Sequence, residues 1–174
     1  MSKPLRAYDI EFVKLNYGDH SFDFAVTDEF FETFESSLKA RDLKLNLLFS
    51  KATNNFTLLF NIEGKVNVEC DRCLTAIDLP IKKSNTLMVK LTENLLEDQD
   101  DIIYILPTEY KLNIAQHLYD FILLALPIKK TCDNVGLVCD STITQKITQV
   151  IDVEMEDIDT DIEADRTTDL EEDN

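Results

Sequence analysis

The chain has no tryptophan, two histidines, three glycines and half as many basic as acidic residues, 17 against 34 in 174. Each shortage excludes something. The glycines stand far apart, at Gly18, Gly64 and Gly136, so no glycine-rich loop can cradle phosphates. His20 sits near a turn and His117 in a helical stretch, and a lone helical histidine is far more often packed or solvated than a general base. No run approaches the ~20 consecutive apolar residues of a membrane-spanning helix. Met1-Ser2-Lys3-Pro4 lacks an apolar signal core, which points away from secretion. A formal net charge of −17 argues against a protein that grips nucleic acid alone, because phosphate binding needs a basic surface. What is present suffices for one domain: an apolar share of 44% with ten phenylalanines, too much for a wholly disordered chain.

The charge is uneven. Residues 152–174 hold 12 Asp and Glu against Arg166, a net of −11, which leaves −6 on the other 151 residues. Six apolar residues in those 23 form no sustained helical stripe. Like charges repel and little apolar surface offsets the entropy of ordering, so 152–174 reads as a disordered acidic tail after a single domain, 1–151. Such a tail either aids solubility or meets a basic partner.

The body reads as α+β: an antiparallel β-meander sheet or partial barrel, packed with one long helix and short helices. Tyr8–Val13 alternates as a first strand, and Gly18-Asp19 marks a turn. Ser21–Val26 alternates with Phe22, Phe24 and Val26 on one face. Thr27 or Asp28 caps a short helix whose stripe, Phe30, Phe31 and Phe34, is core. Strands follow with Leu43, Leu45, Leu47 and Phe49, then Phe56, Leu58, Phe60 and Ile62, with Thr53-Asn54-Asn55 as the turn between them. Glu63-Gly64-Lys65 reads as a further turn. Val66, Val68 and Cys70 lead into Ile77, Leu79 and Ile81, and Leu87, Val89 and Leu91 close the series. Pro80 belongs at an edge or a bulge, since it cannot donate to a ladder. Leu95–Asp101 is an acidic loop; its Asp100-Asp101 pair reads as solvated rather than cation-binding. Ile102–Leu106, stopped by Pro107, is a buried strand. Asn113 caps a helix to about Leu126 with Ile114, Leu118, Phe121, Ile122 and Ala125 inward, ended by Pro127. Ile143, Ile147, Val150 and Ile151 suggest a last helix capped by Ser141 or Thr142.

Four cysteines remain: Cys70 and Cys73 as C-x2-C, Cys132 and Cys139 as C-x6-C. Four thiolates complete a tetrahedral shell for one structural zinc ion, and C-x2-C on a β-turn is a usual half-site, although x6 is wider than the usual x2–4. Free cysteines are the second reading. A catalytic dithiol at Cys70 and Cys73 is the third, but a redox C-x2-C normally draws its low thiol pKa from a helix N-terminus, and alternating residues flank both sides here. Nothing suggests an oxidising compartment, so a disulfide framework is not expected.

Two passages are more specific together than apart. One is Val66-Asn67-Val68-Glu69-Cys70-Asp71-Arg72-Cys73-Leu74 with Leu79-Pro80-Ile81. The other is Leu118-Tyr119-Asp120-Phe121-Ile122-Leu123-Leu124-Ala125-Leu126-Pro127, followed by two lysines and Cys132. A strand entering C-x-R-C, then a helix ending in an L-A-L-P-like segment before a cysteine, resembles the YceD family, the large ribosomal RNA subunit accumulation proteins of bacteria and plastids. The resemblance runs from about Tyr8 to Cys139. It implies a non-enzymatic, cytoplasmic ribosome-biogenesis role: accumulation of 23S rRNA and large-subunit assembly. Cys70 and Cys73 match the family's first cysteine pair and Cys132 the cysteine after the L-P segment. Gly136-Leu137-Val138-Cys139 keeps only part of the family's further pattern. Given the acidic charge, the expected partner is a basic large-subunit ribosomal protein or a pre-50S particle, rather than bare RNA. A thiol-redox protein and an acidic nucleic-acid mimic are the rival readings.

Overall fold

The computed structural model describes residues 3–93, 101–140 and 142. Most of the acidic loop, the expected helix over 143–151 and the tail over 152–174 lie outside the described residues. Among the described residues, seven strands and two α-helices follow in the order β1 (Asp9–Ile10), β2 (Gly18–Val26), α1 (Asp28–Thr33), β3 (Lys39–Lys51), β4 (Asn55–Glu69), β5 (Ala76–Leu91), β6 (Ile102–Ile105), β7 (Leu112–Asn113) and α2 (Ala115–Ala125). Short 3-10 turns lie at Lys3–Tyr8, Phe12–Lys14 and Cys132–Val135. The class is α+β. Strands β2-β3-β4-β5-β6 form one sheet in chain order, and β1 pairs with β7. The first four strands of the sheet are an antiparallel meander, while β6 runs parallel to β5.

Period-2 alternation makes the long strands. Leu43, Leu45, Leu47 and Phe49 on β3, Phe56, Leu58, Phe60 and Ile62 on β4, and Ile77, Leu79, Ile81, Leu87 and Val89 on β5 are all buried on one face. Each such side chain contributes about 1.5–3 kcal/mol by leaving water. Helix α2 covers that face with Leu118, Phe121 and Ile122, and the Phe121 ring meets Phe60 edge-on at 5.0 Å. Phe30 and Phe31 of α1 are buried beside it, and Phe34 stacks on Tyr119 at 4.3 Å. The aromatic stripe is core, as expected.

Several boundaries differ from the sequence reading. The first strand is only Asp9–Ile10, although Tyr8, Ile10 and Phe12 are buried as the alternation requires; the backbone turns into a 3-10 helix at Phe12. Gly18-Asp19 opens β2 instead of a turn. Thr27 stands at the N-cap of α1 without a side-chain cap bond, and Asp28 Oδ1 accepts from the Ala40 amide at 2.7 Å, tying α1 to β3. Glu63-Gly64-Lys65 is no turn: β4 passes through it. Opposite, the β3 register shifts between Arg41 and Lys44, and Gly64 passes so close that an added Cβ would stand 2.5 Å from the Asp42 carbonyl oxygen. The glycine serves a bulge. Strand β5 is likewise unbroken across Lys82–Asn85. Pro80 faces Lys65 of β4, while β6 covers only Met88–Leu91, so Pro80 needs no donor on its open side. The expected buried strand Ile102–Leu106 is the shorter β6, Ile102–Ile105, on the sheet margin, with Ile103 buried and its neighbours half-buried. Asn113 ends β7, and Ile114 rather than Asn113 stands at the N-cap of α2, with no side-chain cap bond; Asn113 Oδ1 still accepts from the Ala115 amide at 3.1 Å, just ahead of the first turn.

Candidate functional site

The connection from β4 to β5 is the C-x2-C loop. The Cys70 amide donates to the Thr75 carbonyl and the Leu74 amide to the Cys70 carbonyl, both at 2.9 Å, which folds the loop back on itself. This turn holds Leu74 at φ 60°, with its side chain exposed. Cys132 opens the 3-10 turn after α2. Thr131 caps that turn through a box with Asn134, and Gly136 ends it at φ 70°. The Leu137 amide donates to the Cys132 carbonyl at 2.9 Å. This compact fold of residues 132–137 absorbs the wide spacing and returns Cys139 to the cluster.

The four sulfurs all lie within 4.8 Å of one another. Cys73 Sγ is 3.5 Å from Cys132 Sγ, and Cys70 Sγ is 3.8 Å from Cys139 Sγ. A tetrahedron with metal–sulfur bonds of ~2.3 Å has sulfur–sulfur edges of ~3.8 Å, so the donor set and spacing fit one zinc ion. Cys70, Cys73 and Cys132 are buried and Cys139 is half-buried. The Arg72 amide points at Cys70 Sγ from 3.5 Å and Arg72 Nη1 at Cys139 Sγ from 3.8 Å, donors that favour thiolate.

The electrostatics are divided. Cys73 is lowered to about 6 by the Thr75 hydroxyl, 3.4 Å away, and by the Thr75 and Asp140 amides. Cys70 is lowered too: burial opposes ionisation, but the amides of Cys73, Arg72 and Cys132 outweigh it. Burial pushes Cys132 far up, reinforced by the neighbouring thiols, and pushes Cys139 up. Crowded thiols cannot all ionise against one another, and a cation at their centre would remove that penalty.

Other bonds join the two loops. The Asp71 amide donates to the Lys130 carbonyl at 2.7 Å, and the Lys130 amide to Asp71 Oδ2 at 2.6 Å. Arg72 pairs with Asp133 at 3.3 Å. Sequence reasoning missed these residues: Asp71 and Lys130 lie 59 positions apart with no shared motif. Thr131-x-x-Asn134 did carry a helix-start signal. All four expected cysteines come together. His20 does not join them; its Nε2 meets the Asn16 carbonyl at 2.9 Å. Neither Cys70 nor Cys73 begins a helix, because strands flank their loop.

Fold and site together define an α+β protein in which a loop of the sheet and a post-helical loop bring four cysteines together. The family described as large ribosomal RNA subunit accumulation protein YceD matches residues 58–169. The chain belongs to the YceD family. No curated protein and no solved structure matches it. Among the described residues no helix is long and apolar enough to cross a membrane.

Proposed function

We propose that the protein is a non-catalytic, cytoplasmic factor in large-subunit assembly that supports 23S rRNA accumulation by binding a basic ribosomal protein or a pre-50S particle. Family membership over residues 58–169 carries this reading. The charge supports the choice of partner: ribosomal proteins are basic, and a body at −6 with a tail at −11 attracts them at long range. Cys70, Cys73, Cys132 and Cys139 would hold one structural zinc ion that fixes the C-x2-C loop against residues 130–139. The thiolates supply the charge, and the Arg72 amide and guanidinium orient them.

Ribosome-profile fractionation of a depletion strain, with 23S measured beside 16S rRNA, tests the role. A loss confined to 23S is expected; an unchanged ratio would sink it. Binding to a pre-50S fraction should fall in high salt, because exposed charges are screened beyond ~8 Å at physiological ionic strength. It should also fall on deletion of residues 152–174. Binding indifferent to both would remove the acidic tail from the account.

A further inference from the structure

Strand β2 is the outermost strand of the sheet, and no strand among the described residues pairs with its far side. It is nine residues long, in unbroken register with β3. Exposed strand edges are commonly blunted by charged side chains, Lys above all, or by Pro, bulges or short length; of these β2 has only the carboxylates of Asp19 and Asp23. Among the described residues, its far edge is met toward the end. There the Tyr8 hydroxyl donates to the Ala25 carbonyl at 3.5 Å and the Tyr8 ring stacks on Phe24 at 5.4 Å.

That bond fixes the strand's orientation. In an antiparallel ladder a residue's N–H and C=O point to the same side, and the side alternates along the chain. Ala25 therefore turns its backbone groups away from β3, and Asp19, Ser21 and Asp23 do likewise. The side-chain geometry agrees, since residue pairs without backbone bonds bring their side chains closest. Asp23 Oδ1 accepts from Asn46 Nδ2 at 2.8 Å, and Asp19 Oδ1 from Ser50 Oγ at 2.5 Å. The open edge thus presents the amides and carbonyls of Asp19, Ser21 and Asp23. Two exposed carboxylates lie on its outer face, and half-buried Phe22 lies at the rim of the core on its inner face.

We propose that this edge binds an extended basic segment of the partner protein as an added strand. The inference rests on the reading above that the partner is basic, and names where on the protein it docks. Lys or Arg at alternate positions would meet Asp19 and Asp23, and the intervening apolar side chains would cover Phe22 and His20. Main-chain bonds supply the affinity and the alternation supplies the selectivity. A second copy is a poor occupant, because it would bring carboxylates against carboxylates.

The test uses the full chain and a labelled nine-residue peptide alternating lysine and valine, with anisotropy and residue-resolved hydrogen exchange as readouts. Exchange should slow at the amides of Asp19, Ser21 and Asp23. N-methylating the peptide amides that face the edge should weaken binding about tenfold or more. The double variant D19N/D23N should also bind more weakly, and a scrambled peptide of the same composition should not match the alternating one. Equal affinity for the scrambled or N-methylated peptide, or protection confined to other residues, would overturn the edge. If the peptide fails while the protein still captures large-subunit particles, the edge falls and the assembly role stands. Peptide protection at the edge with no particle captured keeps the edge and removes the assembly role.

Discussion

Asp71 and Lys130 hold each other by their backbones and by a side chain: the Asp71 amide reaches the Lys130 carbonyl, and the Lys130 amide reaches the Asp71 carboxylate. The pair closes the two cysteine loops in register before any metal is considered. Asp71→Ala removes the carboxylate half. The expected result is intact folding with zinc affinity lowered about 10–100-fold, as for loss of groups that orient metal ligands. Competition with a chromophoric chelator measures it, and unchanged affinity would remove Asp71 from the site.

Metal analysis of protein purified without chelator should find close to one zinc per chain. Cys73→Ser and Cys132→Ser should each lower that content and the melting temperature, because the ion would join loops distant in sequence. A strong chelator should lower the melting temperature of the wild type and leave the variants nearly unmoved. Zinc near zero with intact folding rejects the metal.

Gly64→Ala should destabilise the fold by at least about 2 kcal/mol, since the added Cβ meets backbone and the φ of +150° suits only glycine. Gly136→Ala, where nothing lies within 4 Å, should lose only the left-handed penalty, roughly 1–2 kcal/mol. Urea midpoints compare the two. An equal loss would mean that the bulge opposite Asp42 relaxes freely.

Burial opposes ionisation of Asp9, but Lys111 at 2.6 Å and the Asn113 amide at 2.6 Å hold its carboxyl below the usual range. A carboxylate with a lower pKa folded than unfolded adds stability above its unfolded pKa and loses it as pH falls through the folded value. Stability should therefore drop on acidification below about pH 4, with a shallower acid limb in Asp9→Asn. Denaturant titrations across that interval provide the check, and superimposable acid limbs would exclude Asp9 as a contributor.

The sheet was legible where one face meets the core. Leu43–Phe49 and Phe56–Ile62 alternate because each second side chain is buried, and the stripe from Ile114 to Ala125 shows α2 for the same reason. What escaped is set by neighbours rather than by local pattern. Glu63-Gly64-Lys65 has turn chemistry, yet it stays in β4 because the bulge between Arg41 and Lys44 lies opposite. Lys82-Lys83-Ser84-Asn85 looks like a break in hydrophobicity, but β4 pairs with every one of these residues. The parallel course of β6 left no mark on its short apolar run. At the site, four cysteines were visible as a set. Which sulfurs stand nearest, Cys73 to Cys132 and Cys70 to Cys139, depends on Gly136 and the turn it ends, and no spacing rule contains that.

The long strands are joined by short connections, residues 52–54 between β3 and β4 and 70–75 between β4 and β5. The closures at the two ends are far longer: Asp9 meets Asn113 across 104 positions and Cys70 meets Cys139 across 69. Contacts near in sequence form fastest, and long closures wait for the chain between them. A nascent chain can therefore pair its central strands well before it owns a complete thiol cluster. Only a polypeptide synthesised through residue 139 can display that cluster, so its appearance reports that the sheet and α2 have both been made.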